Sequence, residues 1–221
     1  DRQISDLHCK NFGKKQSELI SKIKAAKPDM IALTGDIVDE DHDSISSVED
    51  LLKGIKDLAP IYFVTGNHEL TSLAATQYQE LLALFQKYGV TDLDNDSVKL
   101  KKGGQSITLY GRQYFSQYLT DSLPIASDKD FDILLYHGSD NFKEIAPYHY
   151  DLILSGHAHG GIVRLPILGG IFGNDGTFFP EYAGGEYTIG DATLISSRGL
   201  GDASIPRFNN PPELVVIKLN P

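Results

Sequence analysis

The sequence has few of the residues that support several common kinds of site. Among 221 residues there is one cysteine, Cys9, and there is no tryptophan. A single cysteine excludes an internal disulfide framework and a cysteine-rich zinc site. No apolar run approaches the roughly 20 residues that span a bilayer, so no transmembrane segment is predicted. Asp1-Arg2-Gln3-Ile4 leads directly into a candidate catalytic motif, so any upstream leader or anchor would lie outside this sequence.

Positive charge is also scarce. The chain has 20 Lys and Arg against 30 Asp and Glu, for a formal net charge of −10. This balance disfavours a general nucleic-acid binder, which presents a basic face, and it disfavours broad electrostatic adhesion to anionic membranes. With 41% hydrophobic and 23% charged residues the composition is that of a globular protein, and the length favours one domain over residues 1–221.

The first 150 residues alternate amphipathic segments with short apolar runs. Helical spacing of apolar residues predicts helices over 17–26, 45–58 and 73–88. The apolar runs predict strands at 30–33, 61–64, 106–110, 131–136 and 152–154. Strands of this kind alternating with helices indicate an α/β protein whose sheet is buried on both faces.

The composition changes near residue 151. Twelve of the 21 glycines fall between Gly156 and Gly201, and no helical periodicity is present there. The segments 186–189, 193–195 and 214–219 predict strands of a second, more antiparallel sheet. Both halves contribute candidate site residues, so we predict two sheets within one domain.

Polar side chains follow five strand candidates at the point where each ends, namely residues 3–5, 30–33, 61–64, 131–136 and 152–154. In an open α/β sheet, ligands bind beyond the carboxyl ends of the strands, so these loops would surround one pocket. An isolated Asp-Leu-His or a lone histidine is usually a surface or structural feature, but five such strand ends together are not explained in that way. The candidates are Asp6, His8, Asp36, Asn67, His68, His137, His157 and His159.

These side chains offer oxygen and nitrogen ligands without a thiolate. Such a set suits Mn, Fe, Zn or Co in a five- or six-coordinate site better than a closed structural zinc. These candidate ligands are too many for one ion but fit two divalent metal ions, with Asp36 as the bridging carboxylate. Two metals roughly 3.5–4 Å apart are suited to in-line displacement at phosphorus.

The order of these motifs resembles the calcineurin-like metallophosphoesterases. The motifs are Asp-x-His, Gly-Asp-x-x-Asp, Gly-Asn-His-Glu, a lone His and Gly-His-x-His, over residues 6 to 159. The resemblance implies an αββα sandwich of two mixed β-sheets flanked by helices. It also implies a metal-dependent phosphoric ester hydrolase that attacks phosphomonoester, phosphodiester or pyrophosphate bonds with a hydroxide bridging the two metals.

The resemblance also implies individual roles. One metal would be held by Asp6, His8, Asp36 and His159, and the second by Asp36, Asn67, His137 and His157. His68 would face the substrate and protonate the leaving oxygen, with Asp39 orienting His68 from behind.

The C-terminal motifs resemble one bacterial branch of this family. They include Ser197-Arg198-Gly199-Leu200-Gly201 and Asn210-Pro211-Pro212-Glu213. Members of that branch are phosphodiesterases often described as UDP-2,3-diacylglucosamine pyrophosphatases, and they frequently carry an N-terminal anchor or export signal. Ile162 departs from the pattern, which has glutamine there. The resemblance implies a lipid-linked or nucleotide-linked phosphate ester as the substrate, with peripheral membrane association. We also expect a monomer, and the acidic balance predicts no nucleic-acid partner.

The arginines and one apolar segment each leave two interpretations. Three of the five arginines follow residue 160, and arginine suits bidentate phosphate binding. Arg207 is the preferred substrate contact, then Arg198 and Arg112; the alternative is that these arginines brace glycine-rich loops. The segment 162–172 would form either an apolar lip for a lipid-like substrate or, more commonly, a buried strand and turn.

Other functions of the same fold stay open at the level of sequence. A metal-binding regulatory protein without catalysis would share the ligands, although intact Asn67 and His68 argue against it. A nuclease or a protein phosphatase would share the chemistry, and the acidic balance disfavours the nuclease. His42 and His149 match no motif and are predicted to face solvent.

Overall fold

The computed structural model describes residues 1–71, 75–102, 104–114, 119, 123–127, 130–173, 176–202 and 206–219. Its four α-helices in these ranges are α1 (Ser17–Ala25), α2 (Ser46–Ile55), α3 (Ala75–Tyr88) and α4 (Phe142–Ile145). The first three are the predicted helices with slightly different ends, apart from residues 73 and 74, which lie outside the described residues. Within the described residues, no helix combines the length and apolarity needed to cross a bilayer.

A first sheet of five strands has four of its strands in parallel. Its strands are β1 (Arg2–Ile4), β2 (Ile31–Thr34), β3 (Ile61–Val64), β4 (Val90–Asp92) and β13 (Val215–Val216). In space, β13 lies beside β1, which is followed by β2, β3 and β4. Strands β1 to β4 pair in parallel, whereas β13 is antiparallel to β1.

A second sheet of six strands is mixed. Strands β6, β7, β8 and β12 are parallel neighbours, and β5 and β11 close the two edges in antiparallel pairing. The strands are β5 (Ser97–Lys102), β6 (Gln105–Arg112), β7 (Phe131–Gly138), β8 (Leu152–Gly156), β11 (Gly185–Ile189) and β12 (Ala192–Ser196). A separate hairpin contains β9 (Val163–Leu165) and β10 (Gly169–Phe172).

Alternate residues of each buried strand face opposite layers. In β2 and β3, Ile31 and Phe63 pack against α1, α2 and α3, whereas Ala32 and Val64 pack against the second sheet. On the other side, Leu134 and Ile153 pack with α4 while their neighbours Leu135 and Leu154 face the first sheet. This period of two explains the continuous apolar runs, and it confirms the αββα sandwich of two mixed sheets.

The predicted division into sheets at residue 151 is wrong in one respect. The segment 214–219 contributes β13 to the first sheet, not to a sheet with 186–189 and 193–195. The latter two segments extend a sheet that begins with strands from the first half of the chain. The apolar pattern predicts the strand itself, but a strand of two residues has no sequence feature that identifies its partner. Here β13 pairs with the free edge of β1.

Candidate metal centre

The candidate ligands meet at one end of the sandwich, between the two sheets. Asp6 and His8 follow β1, Asp36 follows β2, and Asn67 follows β3. From the second sheet, His137 lies near the end of β7, and His157 and His159 follow β8. All of these strands are parallel within their sheets, so their carboxyl ends deliver the side chains to a common edge.

The side chains form two groups that share one carboxylate. Asp6, His8, Asp36 and His159 have donor atoms within 4.8 Å of one another, and so do Asp36, His137 and His157. Asn67 joins the second group, because its Oδ1 lies 2.8 Å from Nδ1 of His157. Every predicted ligand therefore lies in the group in which the family resemblance places it.

The distances within the groups suit a cation. His8 Nε2 lies 3.2 Å from His159 Nε2, and Asp36 Oδ2 lies 3.0 Å from His137 Nε2. Donor atoms at about 2.0–2.2 Å from a common ion would be separated by roughly such spacings. The Nδ1 atom of His137 lies 2.7 Å from the Thr34 carbonyl oxygen, whereas its buried Nε2, directed at the Asp36 carboxylate, forms no hydrogen bond of good geometry. A buried ring nitrogen held in this way is suited to donate its lone pair to a metal.

The backbone of the ligand loops is held in uncommon conformations. Asp6, His8, Asp36, His157 and His159 all have positive φ values, between 47° and 71°. Left-handed backbone costs free energy for residues other than glycine, and it persists where the surrounding fold imposes it. Five such residues at one site indicate that the fold gives up some stability to aim these side chains.

Glu69, for which the sequence suggested no role, fixes two of the loops together. Its buried carboxylate accepts hydrogen bonds from the backbone N–H groups of Asp36, Ile37, Val38 and Gly66 at 2.7–3.2 Å. Glu69 therefore ties the loop that carries Asp36 to the loop that carries Asn67. The position of Glu69 in the Gly-Asn-His-Glu motif could have indicated this role, because an acid within a ligand motif needs a hydrogen-bonding or charged partner.

The electrostatics of the site favour bound positive charge. Burial opposes the ionisation of Asp36, but His137 and His8 outweigh it and hold the pKa of Asp36 well below its usual value. Burial likewise opposes the charging of His137, yet the carboxylates of Asp36 and Asp6 raise the pKa of His137 to about 10. Two buried carboxylates thus draw cationic partners to themselves, as a metal site requires.

His159 is held in the neutral form that binds a cation. Burial is the main cause that lowers the pKa of His159 to about 3, and the positive charge of Arg207 acts in the same direction. The Nη2 atom of Arg207 lies 3.2 Å from Nδ1 of His159. Arg207 therefore acts on the metal centre from behind a ligand.

His68 occupies a different position from the ligands. Its side chain is 22% exposed, more than those of the neighbouring Asp36 and His8, and its ring meets that of His8 edge to face at 4.8 Å between centroids. It lines a cleft of about 350 Å³ together with His8, Asp39, His42 and His159. A substrate that enters this cleft meets His68 beside the first group of ligands.

The expectation that Asp39 orients His68 is corrected by the contacts. Nδ1 of His68 lies 2.6 Å from Oε2 of Glu40, whereas Asp39 faces Nδ1 of His8 at 3.4 Å and Nδ1 of His42 at 2.6 Å. Both oxygens of Asp39 are thereby occupied, and the longer Glu40 side chain reaches His68. His42, predicted to face solvent, is half exposed, and its Nδ1 is hydrogen-bonded to the Asp39 carboxylate.

The three arginines predicted to contact substrate are placed differently. Arg207 is only 5% exposed and donates to the carbonyl oxygens of Gly201 and Arg198. Arg198 pairs with Glu213 at 2.8 Å. These contacts agree with the alternative in which Arg198 and Arg207 brace glycine-rich loops. Arg112 donates to Asn95 and lines a second, smaller cleft that shares no residue with the first.

Comparison with known proteins identifies the family. The sequence profile of the calcineurin-like phosphoesterases matches residues 3–161. The chain belongs to this family. The domain is accordingly a metal-dependent phosphoester hydrolase by family, which confirms the enzyme class expected from the motifs.

Three of the relatives are the bacterial proteins YkuE, YaeI and YkoQ. Bacillus subtilis YkuE, an uncharacterized metallophosphoesterase, is 30% identical over 98% of this chain and 77% of its own length. Escherichia coli phosphodiesterase YaeI is 26% identical over 98% of this chain and 80% of its own length. Bacillus subtilis YkoQ is 29% identical over 74% of the chain, and the chain spans only 62% of YkoQ.

Solved structures share the fold at low sequence identity. The phosphopantetheinyl hydrolase PptH of Mycobacterium tuberculosis superposes with a TM-score of 0.54 at 11% identity, over 90% of this chain and 89% of PptH. The sulfate thiohydrolase SoxB of Thermus thermophilus has a TM-score of 0.55 at 14% identity, over 90% of this chain and 51% of SoxB. Both support the αββα architecture described above.

Proposed function

We propose that this chain is a dinuclear metal-dependent phosphodiesterase that also accepts pyrophosphate-type bonds. The observation that carries the proposal is the position of Asp36, whose carboxylate belongs to both groups of candidate ligands. A shared carboxylate holds two cations close together, and such a pair is suited to displacement at phosphorus. That the relative YaeI is called a phosphodiesterase supports the choice of diesters.

The ligand residues divide the work of holding the cations. Asp6, His8, Asp36 and His159 would hold one divalent ion, and Asp36, Asn67, His137 and His157 the other. Mn, Fe, Zn and Co all suit this mixture of carboxylate, amide and imidazole donors. The cations would supply an activated water and neutralise the phosphoryl oxygens.

His68 is proposed to act on the leaving group. Its ring lies in the cleft, and Glu40 holds Nδ1 at 2.6 Å, which leaves Nε2 directed away from Glu40. A carboxylate at Nδ1 fixes the orientation of the ring. His68 would give a proton to the departing oxygen, and Glu40 serves as its positioning residue.

The C-terminal motifs support the choice of a substrate class. The segment 197–213 resembles the branch that acts on lipid-linked and nucleotide-linked pyrophosphates, and we propose an amphipathic phosphate ester of that kind. In this proposal Arg198 and Arg207 shape the loop beside His159, and Arg112 has no assigned contact with the substrate.

A direct assay tests the reaction. The purified chain, stripped of metal and then supplied with Mn²⁺, Fe²⁺, Zn²⁺ or Co²⁺, is given p-nitrophenyl phosphate and bis-p-nitrophenyl phosphate. We expect metal-dependent turnover, faster for the diester, with two equivalents of metal bound. A protein that binds two metals but turns over neither ester would support the non-catalytic regulatory alternative and would refute the proposal.

A further inference from the structure

A further group of metal-ligating side chains lies outside the two groups of the candidate metal centre. Cys9, Asp39 and His42 offer a thiol, a carboxylate and an imidazole whose donor atoms lie within 4.8 Å of one another. Cys9 and Asp39 are buried, whereas the side chain of His42 is 48% exposed. All three line the cleft that His68 also lines. None of them is a ligand of the two cations proposed above, so the group needs an explanation of its own.

Two neighbouring loops hold these side chains together. Cys9 belongs to the loop after β1, and its backbone N–H donates to the Ile37 carbonyl at 3.1 Å in the loop after β2. In that second loop, Oδ1 of Asp39 accepts a hydrogen bond from the backbone N–H of Asp41 at 3.2 Å and lies 2.6 Å from Nδ1 of His42. The thiol is thereby fixed beside a carboxylate and an imidazole that already contact each other.

The spacing suits one tetrahedral cation. Ligand atoms at about 2.0–2.3 Å from a zinc ion lie roughly 3.3–3.6 Å apart. The 2.6 Å between Asp39 and His42 is shorter than this, and the half-exposed ring of His42 lies in the cleft, where it has room to withdraw by the difference. Three protein ligands leave a fourth position for a water molecule from the cleft.

The charge around the group favours a cation. Among the described residues that line the cleft, Asp39, Asp41 and Asp202 are acidic and only Lys10 is a lysine or arginine. The Nζ atom of Lys10 lies 2.6 Å from Oδ2 of Asp202, so one of the three negative charges is already paired. The remaining two lie at the group or next to it in the chain, which leaves an excess of negative charge there.

The thiol limits which cations suit the group. Burial and the negative charge of Asp39 raise the pKa of Cys9 to about 12, so the thiol keeps its proton until a bound cation displaces that proton into the solvent. Soft thiolate ligands favour Zn²⁺ and Co²⁺ over Mn²⁺, which prefers oxygen ligands. The group therefore differs in its selectivity from the candidate metal centre, whose ligands are oxygen and nitrogen.

We propose that Cys9, Asp39 and His42 form an accessory site for one thiophilic divalent cation, Zn²⁺ or Co²⁺, in addition to the two cations of the metal centre. The accessory site adjoins that centre, because Oδ2 of Asp39 lies 3.4 Å from Nδ1 of His8. It would exist whether or not the chain hydrolyses a phosphoester, since none of its ligands is assigned to the two catalytic cations.

Cobalt spectroscopy tests the accessory site. Cys9 is the only cysteine of the chain, so a thiolate-to-Co²⁺ charge-transfer band in the near ultraviolet would arise from this site alone. Protein loaded with Mn²⁺ is titrated with Co²⁺ or Zn²⁺, and total metal per chain is measured after removal of the unbound ions. We expect total metal to rise from two equivalents to three, with the cobalt band growing to saturation. Exchange of Mn²⁺ for Co²⁺ in the metal centre would change neither result.

Two variants and a control assign the third equivalent. Cys9→Ser should lose both the third equivalent and the band, and His42→Ala should lose the third equivalent, while both variants keep the first two. Because His42 is half exposed, His42→Ala also serves as the test should Cys9→Ser fail to fold. His149→Ala, at an exposed histidine that belongs to none of the three groups, is the matched control and should keep all three equivalents.

The outcomes separate this site from the proposed function. Only two equivalents in the unchanged protein, or no thiolate band at saturating Co²⁺, would overturn the accessory site. Three equivalents retained in His42→Ala would overturn it as well. Turnover of bis-p-nitrophenyl phosphate is measured on the same Mn²⁺-loaded samples. A protein that shows the band and the third equivalent but no turnover would support the accessory site and refute the proposed function.

Discussion

The two sheets contribute different chemistry to the same centre. The first supplies both candidate carboxylate ligands, Asp6 and Asp36, together with Asn67 and His8. The second supplies imidazoles only, from His137, His157 and His159. The negative charge that attracts the cations therefore lies on one sheet, and neutral donors complete the shells from the other.

This division makes the centre depend on how the sheets pack. The apolar layer between them, which includes Ala32, Val64, Leu135 and Leu154, sets the distance between carboxylates and imidazoles. Neither sheet carries enough ligands for both cations. The hydrogen bonds from ring nitrogens also cross the interface, as in the 2.7 Å contact of His137 with the Thr34 carbonyl. The site is therefore a property of the assembled sandwich.

The largest effect should come from the shared carboxylate of the first sheet. Asp36→Ala should release both metals and lower turnover by about 10³-fold or more, because the charge that both cations share is lost. His159→Ala, from the second sheet, should release one equivalent and keep the other. Metal analysis and diester turnover check both, with Asp57→Ala, an exposed aspartate, as control. Equal metal loss in the two variants would remove the distinction between the sheets.

A smaller loss is expected at the residue that faces the substrate. His68→Ala should keep both metals while turnover of an ester with a poor leaving group falls by roughly 10²-fold, the usual contribution of a proton donor. The measurement pairs kcat with metal content on the same sample. A His68→Ala protein without metal would show that His68 is a ligand and would contradict its assignment to the leaving group.

Glu40 should matter only where a proton is needed. Glu40→Gln keeps the length of the side chain but removes the charge next to His68, so we expect about a tenfold loss with esters of poor leaving groups. With p-nitrophenyl esters, whose leaving group departs without a proton, the loss should be much smaller. Asp43→Asn, on an exposed residue that does not line the cleft, serves as control. Equal losses with both kinds of ester would indicate a merely structural role.

The smallest effect should separate the two interpretations of the arginines. If Arg198 braces the chain through Glu213, Arg198→Ala should leave KM unchanged and lower the free energy of unfolding by at most about 1 kcal/mol. Denaturant unfolding and diester kinetics measure the two quantities. A raised KM with unchanged stability would restore Arg198 as a substrate contact.

Most of the centre was predictable because strand ends carry a strong signal. Short apolar runs of three to six residues followed by Asp, Asn or His predict both the strand and the end of the sheet at which its ligand lies. The division into two groups around Asp36 came with the family resemblance. Periodicity of this kind does not fix the partner of a short edge strand, which is why β13 was placed in the wrong sheet.

Contacts between neighbouring polar side chains were less predictable. Asp39 and Glu40 are adjacent acids, and the choice between them for His68 depends on side-chain length and on the competing histidines His8 and His42. The segment 162–172 could not be assigned either, since an apolar hairpin reads the same whether it is buried or exposed. Both questions depend on three-dimensional contacts that the sequence pattern alone does not specify.

The buried acids of the candidate metal centre make the stability of the fold depend on the supply of cations. Asp6, Asp36 and Glu69 lie close together, and burial with the charge of Asp36 raises the pKa of Glu69 to about 6. A cation that binds only the folded chain stabilises it by about 2.7 kcal/mol at a concentration one hundred times its dissociation constant. Under divalent starvation, therefore, we expect this chain to unfold and be degraded sooner, so that its cellular abundance follows metal availability.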